Sequence, residues 1–210
     1  MRSSAGRGLH RVVLIGAALF WVAGIVAGCL AMWRFQSKPG EAATAPVQWP
    51  SSSRLARATD GPTLVVFAHP RCPCTRASIA ELRQLLGTRA RGPMKTYVLV
   101  LKPSEFADGW EKTEVWRAAQ AIPGVTVLSD VDGAEAARLG AKTSGQVLLY
   151  DRGGKLVFHG GITALRGEAG DNAGYRALAA AAMGRPLEQS TTPVFGCAIG
   201  EPKPNPGNKL

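Results

Sequence analysis

Acid, aromatic rings and histidine are all scarce in this chain, and most catalytic signatures are missing. Against 25 lysines and arginines stand 15 aspartates and glutamates, with 7% aromatic residues and three histidines in 210 positions. No carboxylates are paired for general acid–base work, no glycine-rich stretch has phosphate-loop spacing, and no Ser-His-Asp arrangement is present. Gly170-Asp171-Asn172-Ala173-Gly174 has neither calcium-loop nor phosphate-loop spacing and reads as a helix N-cap. The formal charge of +10 comes without a basic block. Arginines stand singly along helices and loops with no aromatic interleaving, which argues against nucleic acid and leaves an affinity for anionic lipid surfaces. No segment repeats. What remains is cysteine, at positions 29, 72, 74 and 197.

Cys72 and Cys74 lie in Phe67-Ala68-His69-Pro70-Arg71-Cys72-Pro73-Cys74-Thr75-Arg76. A strand-like run, Thr63–Ala68, precedes them, and helical periodicity is predicted over Thr75–Leu86. Pro73 suits the first helical position, where its missing N–H has no acceptor to serve. Cys72 is then the N-cap. Unpaired N–H groups and the positive end of the helix dipole favour thiolate over thiol there, and Arg71 and Arg76 add cationic charge. His69 would act as a cation, as a metal ligand, or as the partner of a loop carbonyl. The bland reading of the pair is two small buried hydrophobes, but a strand–CxC–helix junction points to redox or metal chemistry. A disulfide across one residue closes a strained ring, so such a couple is more oxidising than an unstrained one.

Val12–Trp33 carries no charged residue and is long enough to cross a hydrocarbon core of roughly 30 Å. Arg2, Arg7 and Arg11 before it predict a cytoplasmic N-terminus, so the rest of the chain lies outside the cytoplasm. Val26-Ala27-Gly28-Cys29 offers a rival, since it resembles a bacterial lipobox; Leu30-Ala31-Met32-Trp33 continues the apolar run where a lipoprotein would turn polar. The expected organisation is a cytoplasmic segment (1–11), an uncleaved anchor (12–33), a linker (34–53), an α/β domain (54–184) and a Pro- and Gly-rich tail (185–210). A short capped helix is expected over Ser51–Thr59. The domain alternates: strands Thr63–Ala68, Met94–Leu101 and Val125–Leu128, helices Thr75–Leu86, Thr113–Ala121 and Gly133–Leu139, then a hairpin Gln146–Tyr150 with Lys155–His159 and a helix Asn172–Met183. In the tail, Val194, Phe195 and Ile199 form an apolar island around Cys197. If that island docks near Cys72, Cys197 becomes a resolving thiol or a third metal ligand; otherwise it is a buried thiol or half of a staple.

This order of elements and the motif at the first strand–helix junction resemble the thioredoxin superfamily, in the branch of the TlpA-like reductases and peroxiredoxins, and within it the bacterial RedB group. The resemblance spans Arg54 to Gly184, with Gly140–Asp151 similar to that branch's segment leading into the hairpin. It implies an α/β fold with a thioredoxin-like mixed sheet flanked by helices, and a thiol–disulfide oxidoreductase in the bacterial inner membrane with its domain in the periplasm. It also implies protein thiols or disulfides as partners, and no cofactor beyond the redox-active cysteines. Two departures stand out. The family's CxxC is here CxC, and its cis-proline position is Gly145, after Thr143-Ser144. Peroxiredoxins and the Sco copper-assembly proteins, of the same fold, also do without that proline. The alternatives are therefore a copper-binding or delivery module, with Cys72, Cys74 and His69 or Cys197 as ligands, and a thiol peroxidase. The peroxidase signature, Thr or Ser three residues before the nucleophile, is replaced by His69 and Arg71.

Overall fold

Thr63–Ala68 (β1) is buried along its whole length, as an apolar, β-branched run must be when both faces of its sheet are covered. The computed structural model describes residues 4–41, 44–89, 94–187 and 189–200. Residues 1–3 of the expected cytoplasmic segment, and 188 and 201–210 of the expected tail, lie outside them. The chain divides into two units, Met1–Lys38 and Pro39–Leu210.

In the second unit, β1 is followed by α2 (Pro73–Arg89), β2 (Lys95–Lys102), α3 (Glu114–Gln120), β3 (Val125–Val131), α4 (Ala134–Arg138), β4 (Val147–Tyr150), β5 (Leu156–Gly160) and α5 (Ala173–Ala182). The sheet runs β3-β2-β1-β4-β5. β1, β2 and β3 are parallel, while β4 lies antiparallel to β1 and β5 antiparallel to β4. This is the thioredoxin-like mixed sheet expected from the sequence. One face packs Leu64, Val66, Val98, Leu149 and Phe158 against Ile79, Leu82 and Leu85 of α2 and Leu178 of α5. The other face, Val65, Phe67, Tyr97, Leu99, Leu148 and Tyr150, is closed by Ala136 and Leu139 and by Ala45 and Leu55.

That second covering corrects the expected linker. From Gly40 onward the segment is laid on the domain: the Gly40 N–H donates to the Val194 carbonyl at 2.8 Å, Trp49 meets Tyr150 edge-on at 5.1 Å, and the Tyr150 hydroxyl donates to the Pro46 carbonyl at 3.0 Å. The expected helix over Ser51–Thr59 does not form. The Ser53 hydroxyl and the Arg54 N–H, which a helix start would use locally, instead donate to the Glu135 carboxylate (2.8 and 3.0 Å), and the Ala56 carbonyl accepts from Tyr97. Tertiary partners outbid a short helix, which is marginal alone.

Asn172 is the N-cap of α5, as expected. Its Oδ1 accepts from the Tyr175 N–H at 2.9 Å, and its buried amide donates to the carbonyls of Ile162 and Gly170. Asn172→Ala is expected to cost about 2–3 kcal/mol, one cap plus buried carbonyls left unpaired. A denaturant titration checks this; a loss under about 0.5 kcal/mol would discount the cap.

The first unit is one helix, α1 (Ser4–Ser37). Its His10–Ser37 stretch is long and apolar enough to cross a membrane, and Leu14, Phe20, Trp21, Ile25 and Leu30 are exposed around its circumference. A helix apolar on all sides needs an apolar surrounding. Its length and position fit a membrane anchor or a signal sequence.

Candidate active site

β1 delivers the chain from the sheet into a tight turn, where the Cys72 N–H donates to the His69 carbonyl at 3.1 Å and Pro73 opens α2. Cys72 thus sits just ahead of the first helical residue and is only 1% exposed; Cys74, one step inside, is half-buried. An open groove of about 250 Å³, lined by Pro70, Arg71, Pro73, Arg76 and Thr113, reaches residue 72 from the α3 side.

Opposite the turn stands the segment before β4. The Gly145 N–H donates to the Phe67 carbonyl at 2.7 Å, and the Phe67 N–H to the Gln146 carbonyl at 2.9 Å. Gly145 has φ +89°, and a Cβ on it would come within 2.9 Å of the Ser78 hydroxyl. Glycine at the expected cis-proline position is therefore explained by close approach and left-handed backbone together. Its neighbour Ser144 accepts from the His69 N–H at 2.7 Å, and its hydroxyl lies 2.5 Å from that of Thr75.

The tail docks on this same segment. Ser144 N–H donates to the Cys197 carbonyl at 2.8 Å and Ile199 N–H to the Lys142 carbonyl at 2.7 Å, pairing Thr143 with Ala198 antiparallel. Cys197 is brought against Cys72, 125 positions away in sequence (197 − 72). Burial works against a thiolate at Cys72. Hydrogen bonds from the hydroxyl and N–H of Thr75 and from the thiol and N–H of Cys197 outweigh it and lower its pKa. The other two thiols move the opposite way. Cys74 is raised by burial and then by the charge of Cys72, offset in part by Arg166; Cys197 is pushed up to about 12, by burial first and then by its hydrogen bond to Cys72 and the charges of Cys72 and Cys74. The result is one thiol whose ionisation is favoured, between two whose ionisation is opposed.

The supporting residues named from the sequence have other partners. His69 is held neutral, its pKa lowered by burial and then by Arg71; its Nδ1 accepts from the Arg71 N–H at 3.2 Å and its ring meets Trp110 edge-on. Arg71 lies over the Trp110 ring at 4.9 Å, with Phe106 stacked behind it, and Arg76 pairs with Glu114 at 3.3 Å on the surface. Thr75, Ser144 and Arg166 went unrecognised in the sequence. Thr75 carried a usable signal, a hydroxyl three residues past the N-cap. Arg166, whose Nη1 donates to the Gly196 carbonyl at 2.7 Å and which also bonds the Cys74 sulfur, comes from an irregular stretch with none. Among the described residues no group of three or more His, Cys, Asp or Glu is disposed to hold a metal ion.

No protein-family model matches the chain, and no curated protein is significantly similar to it. Among solved structures, an uncharacterised conserved protein of Geobacillus kaustophilus is similar over 78% of this chain and 92% of its own, at 20% identity and a TM-score of 0.56. A hypothetical protein of Sinorhizobium meliloti 1021 is similar over 77% and 93%, at 22% identity and a TM-score of 0.53. A secreted Mycobacterium tuberculosis disulfide oxidoreductase homologous to E. coli DsbE overlaps 59% and 81%, at 17% identity and a TM-score of 0.43. For the first two, at these identities, the likeness is one of fold.

Proposed function

We propose that this chain is a membrane-anchored, extracytoplasmic thiol–disulfide oxidoreductase in which Cys72 is the nucleophile and Cys197 its resolving partner. The observation that carries the reading is the convergence of Cys74 and Cys197 on Cys72, beside which Thr75 and Cys197 favour the ionised form and lower its pKa. The Cys72 thiolate attacks one sulfur of a protein disulfide; that S–S bond breaks as the Cys72–substrate bond forms, and the first substrate thiolate leaves. Cys72 then carries no charge. When Cys197 next lies against the mixed disulfide, two of the influences that oppose its ionisation, the hydrogen bond to Cys72 and the charge of Cys72, are absent, and its proton passes to a substrate thiolate. The Cys197 thiolate attacks the Cys72 sulfur, expels the second substrate thiolate and leaves a Cys72–Cys197 disulfide. The substrate has gained two electrons and the protein has lost two; in reverse the same steps oxidise a dithiol. Cys74 is the alternative resolver through the strained CxC ring, with Arg166 beside it.

The soft thiols of Cys72 and Cys74 carry a second reading, two-coordinate Cu(I) ligation by that pair, since no three-ligand group is disposed to hold a metal among the described residues. In the His69-containing set the imidazole Nδ1 is already taken by the Arg71 N–H at 3.2 Å. The purified reduced protein is expected to reduce a cystine-containing protein substrate stoichiometrically, ending with its own disulfide, and to hold Cu(I) no better than an ordinary dithiol. Tight binding of one Cu(I), lost on mutation of Cys72 or Cys74, with no disulfide reduced, would replace the oxidoreductase by the copper module. A periplasmically active reporter fused after Trp49 is expected to work; cytoplasmic activity there would overturn the topology.

A further inference from the structure

Although the groove on the α3 side reaches residue 72, Cys72 itself is nearly inaccessible while the tail is docked. Attack on a disulfide needs the thiolate in line with the S–S axis, yet 1% of Cys72 is exposed and residue 197 lies against its sulfur. The inner half of the tail is fixed. Thr192 donates its hydroxyl to the Gly161 carbonyl and Ser190 accepts from the His159 N–H, with Gly160 and Gly161 as the bed: a Cβ on Gly161 would meet the Pro193 carbonyl oxygen at 2.5 Å. The outer half is held by two backbone hydrogen bonds to Lys142 and Ser144, by the Arg166 guanidinium on the Gly196 carbonyl, and by two apolar side chains, buried Phe195 and Ile199 at the margin of the core. It lies at backbone contact because residue 196 is glycine; a Cβ there would stand 1.9 Å from the Ser144 oxygen.

We propose that residues 195–199 form a displaceable strap, latched by Arg166 at Gly196, which must lift from the Lys142–Ser144 edge before a substrate sulfur can reach Cys72. This rests on the oxidoreductase reading and adds regulation to it. Lifting exposes the Ser144 N–H and the Lys142 carbonyl, a cost that an extended cystine-bearing polypeptide offsets by pairing with them and a small disulfide does not. A Cys72–Cys197 disulfide tethers the strap, so free opening belongs to the reduced protein. The strap also carries Cys197, which lowers the pKa of Cys72, so opening trades reactivity for access.

The test uses the reduced full-length protein in detergent. Cys72 labelling is read by peptide mass spectrometry with N-ethylmaleimide and with a bulky polyethylene-glycol maleimide. Both react with the same thiolate, so the ratio of their rates reports access and not ionisation. Gly196→Ala, which wedges the strap, and Arg166→Gln, which removes the latch, are each expected to raise the bulky-to-small ratio about tenfold, the effect of one charged hydrogen bond on an opening equilibrium. An unchanged ratio overturns the strap. Slow amide exchange in β1 verifies folding; if Gly196→Ala fails that check, Arg166→Gln decides alone. Disulfide reduction by the wild type is scored separately. Turnover with unchanged ratios leaves the oxidoreductase without a strap, whereas shifted ratios without turnover leave a strap over a site of other chemistry.

Discussion

Cys72→Ser is expected to lower disulfide turnover by a factor of about a thousand or more, since a hydroxyl at neutral pH is no substitute for a supported thiolate. The other two thiols should separate by role. Cys197→Ser leaves only the CxC ring to resolve the mixed disulfide, so the Cys72–substrate adduct accumulates and turnover falls roughly tenfold to a hundredfold, the scale of losing a well-placed attacking group. Cys74→Ser keeps the Cys72–Cys197 pair and should form it as an intramolecular disulfide on oxidation. Cys72→Ser should trap Cys74 with Cys197, more slowly, because those two are linked in the structure through charge and not through a hydrogen bond to each other. Mass mapping under non-reducing conditions decides between them. If Cys197 stays free in both mutants while the wild type turns over normally, Cys197 serves tail packing alone and the CxC pair does the chemistry.

Thr75→Val carries the second large effect, on pH dependence. Cys72 is an acid whose ionised form is favoured by donors, so its pKa is lowered; deleting a donor moves it back up. A hydrogen bond to a charged sulfur is worth ~1.5–3 kcal/mol, which at 1.36 kcal/mol per pH unit raises the midpoint of Cys72 alkylation by about one to two units. Below that midpoint the labelling rate falls tenfold or more, because only the thiolate reacts. Ser144→Ala is expected to move the midpoint the same way by less, since Ser144 orients the Thr75 hydroxyl from 2.5 Å and does not act on the sulfur itself. Alkylation rates measured across pH in the reduced protein check both. An unmoved midpoint in Thr75→Val would assign the whole depression to the N-cap backbone and the Cys197 donors.

The sequence made β1 legible to the residue, because an apolar, β-branched run between Pro62 and His69 admits no other reading. It also marked Cys72 as an N-cap and Pro73 as a helix start, although helical periodicity alone placed the start at Thr75, two residues late, because Pro73 and Cys74 carry no apolar stripe. The alternation of elements gave the mixed sheet through its resemblance to thioredoxin-like chains. These are local signals: hydrophobic period, turn residues and caps act over a few positions and can be read from them. The failures were all long-range. Gly40–Ala58 looked like tether and short helix because its composition is polar and Pro-rich; that Ala45, Trp49 and Leu55 close a sheet face depends on Leu148 and Tyr150 being a hundred positions away. Arg71 and Arg76 looked like the thiolate's support because they are its neighbours in sequence, yet Trp110 and Glu114 hold them. The support comes from Thr75 and from Cys197. Sequence alone determined that two cysteines stand at a strand–helix junction, because residue type and helix-end geometry are local properties. Only the tertiary structure decided which cysteine has its ionisation favoured and which groups stand beside it, because charge, burial and hydrogen bonding at a sulfur depend on distance in space, and the tail reaches Cys72 through pairing with Lys142–Ser144 that no local pattern encodes.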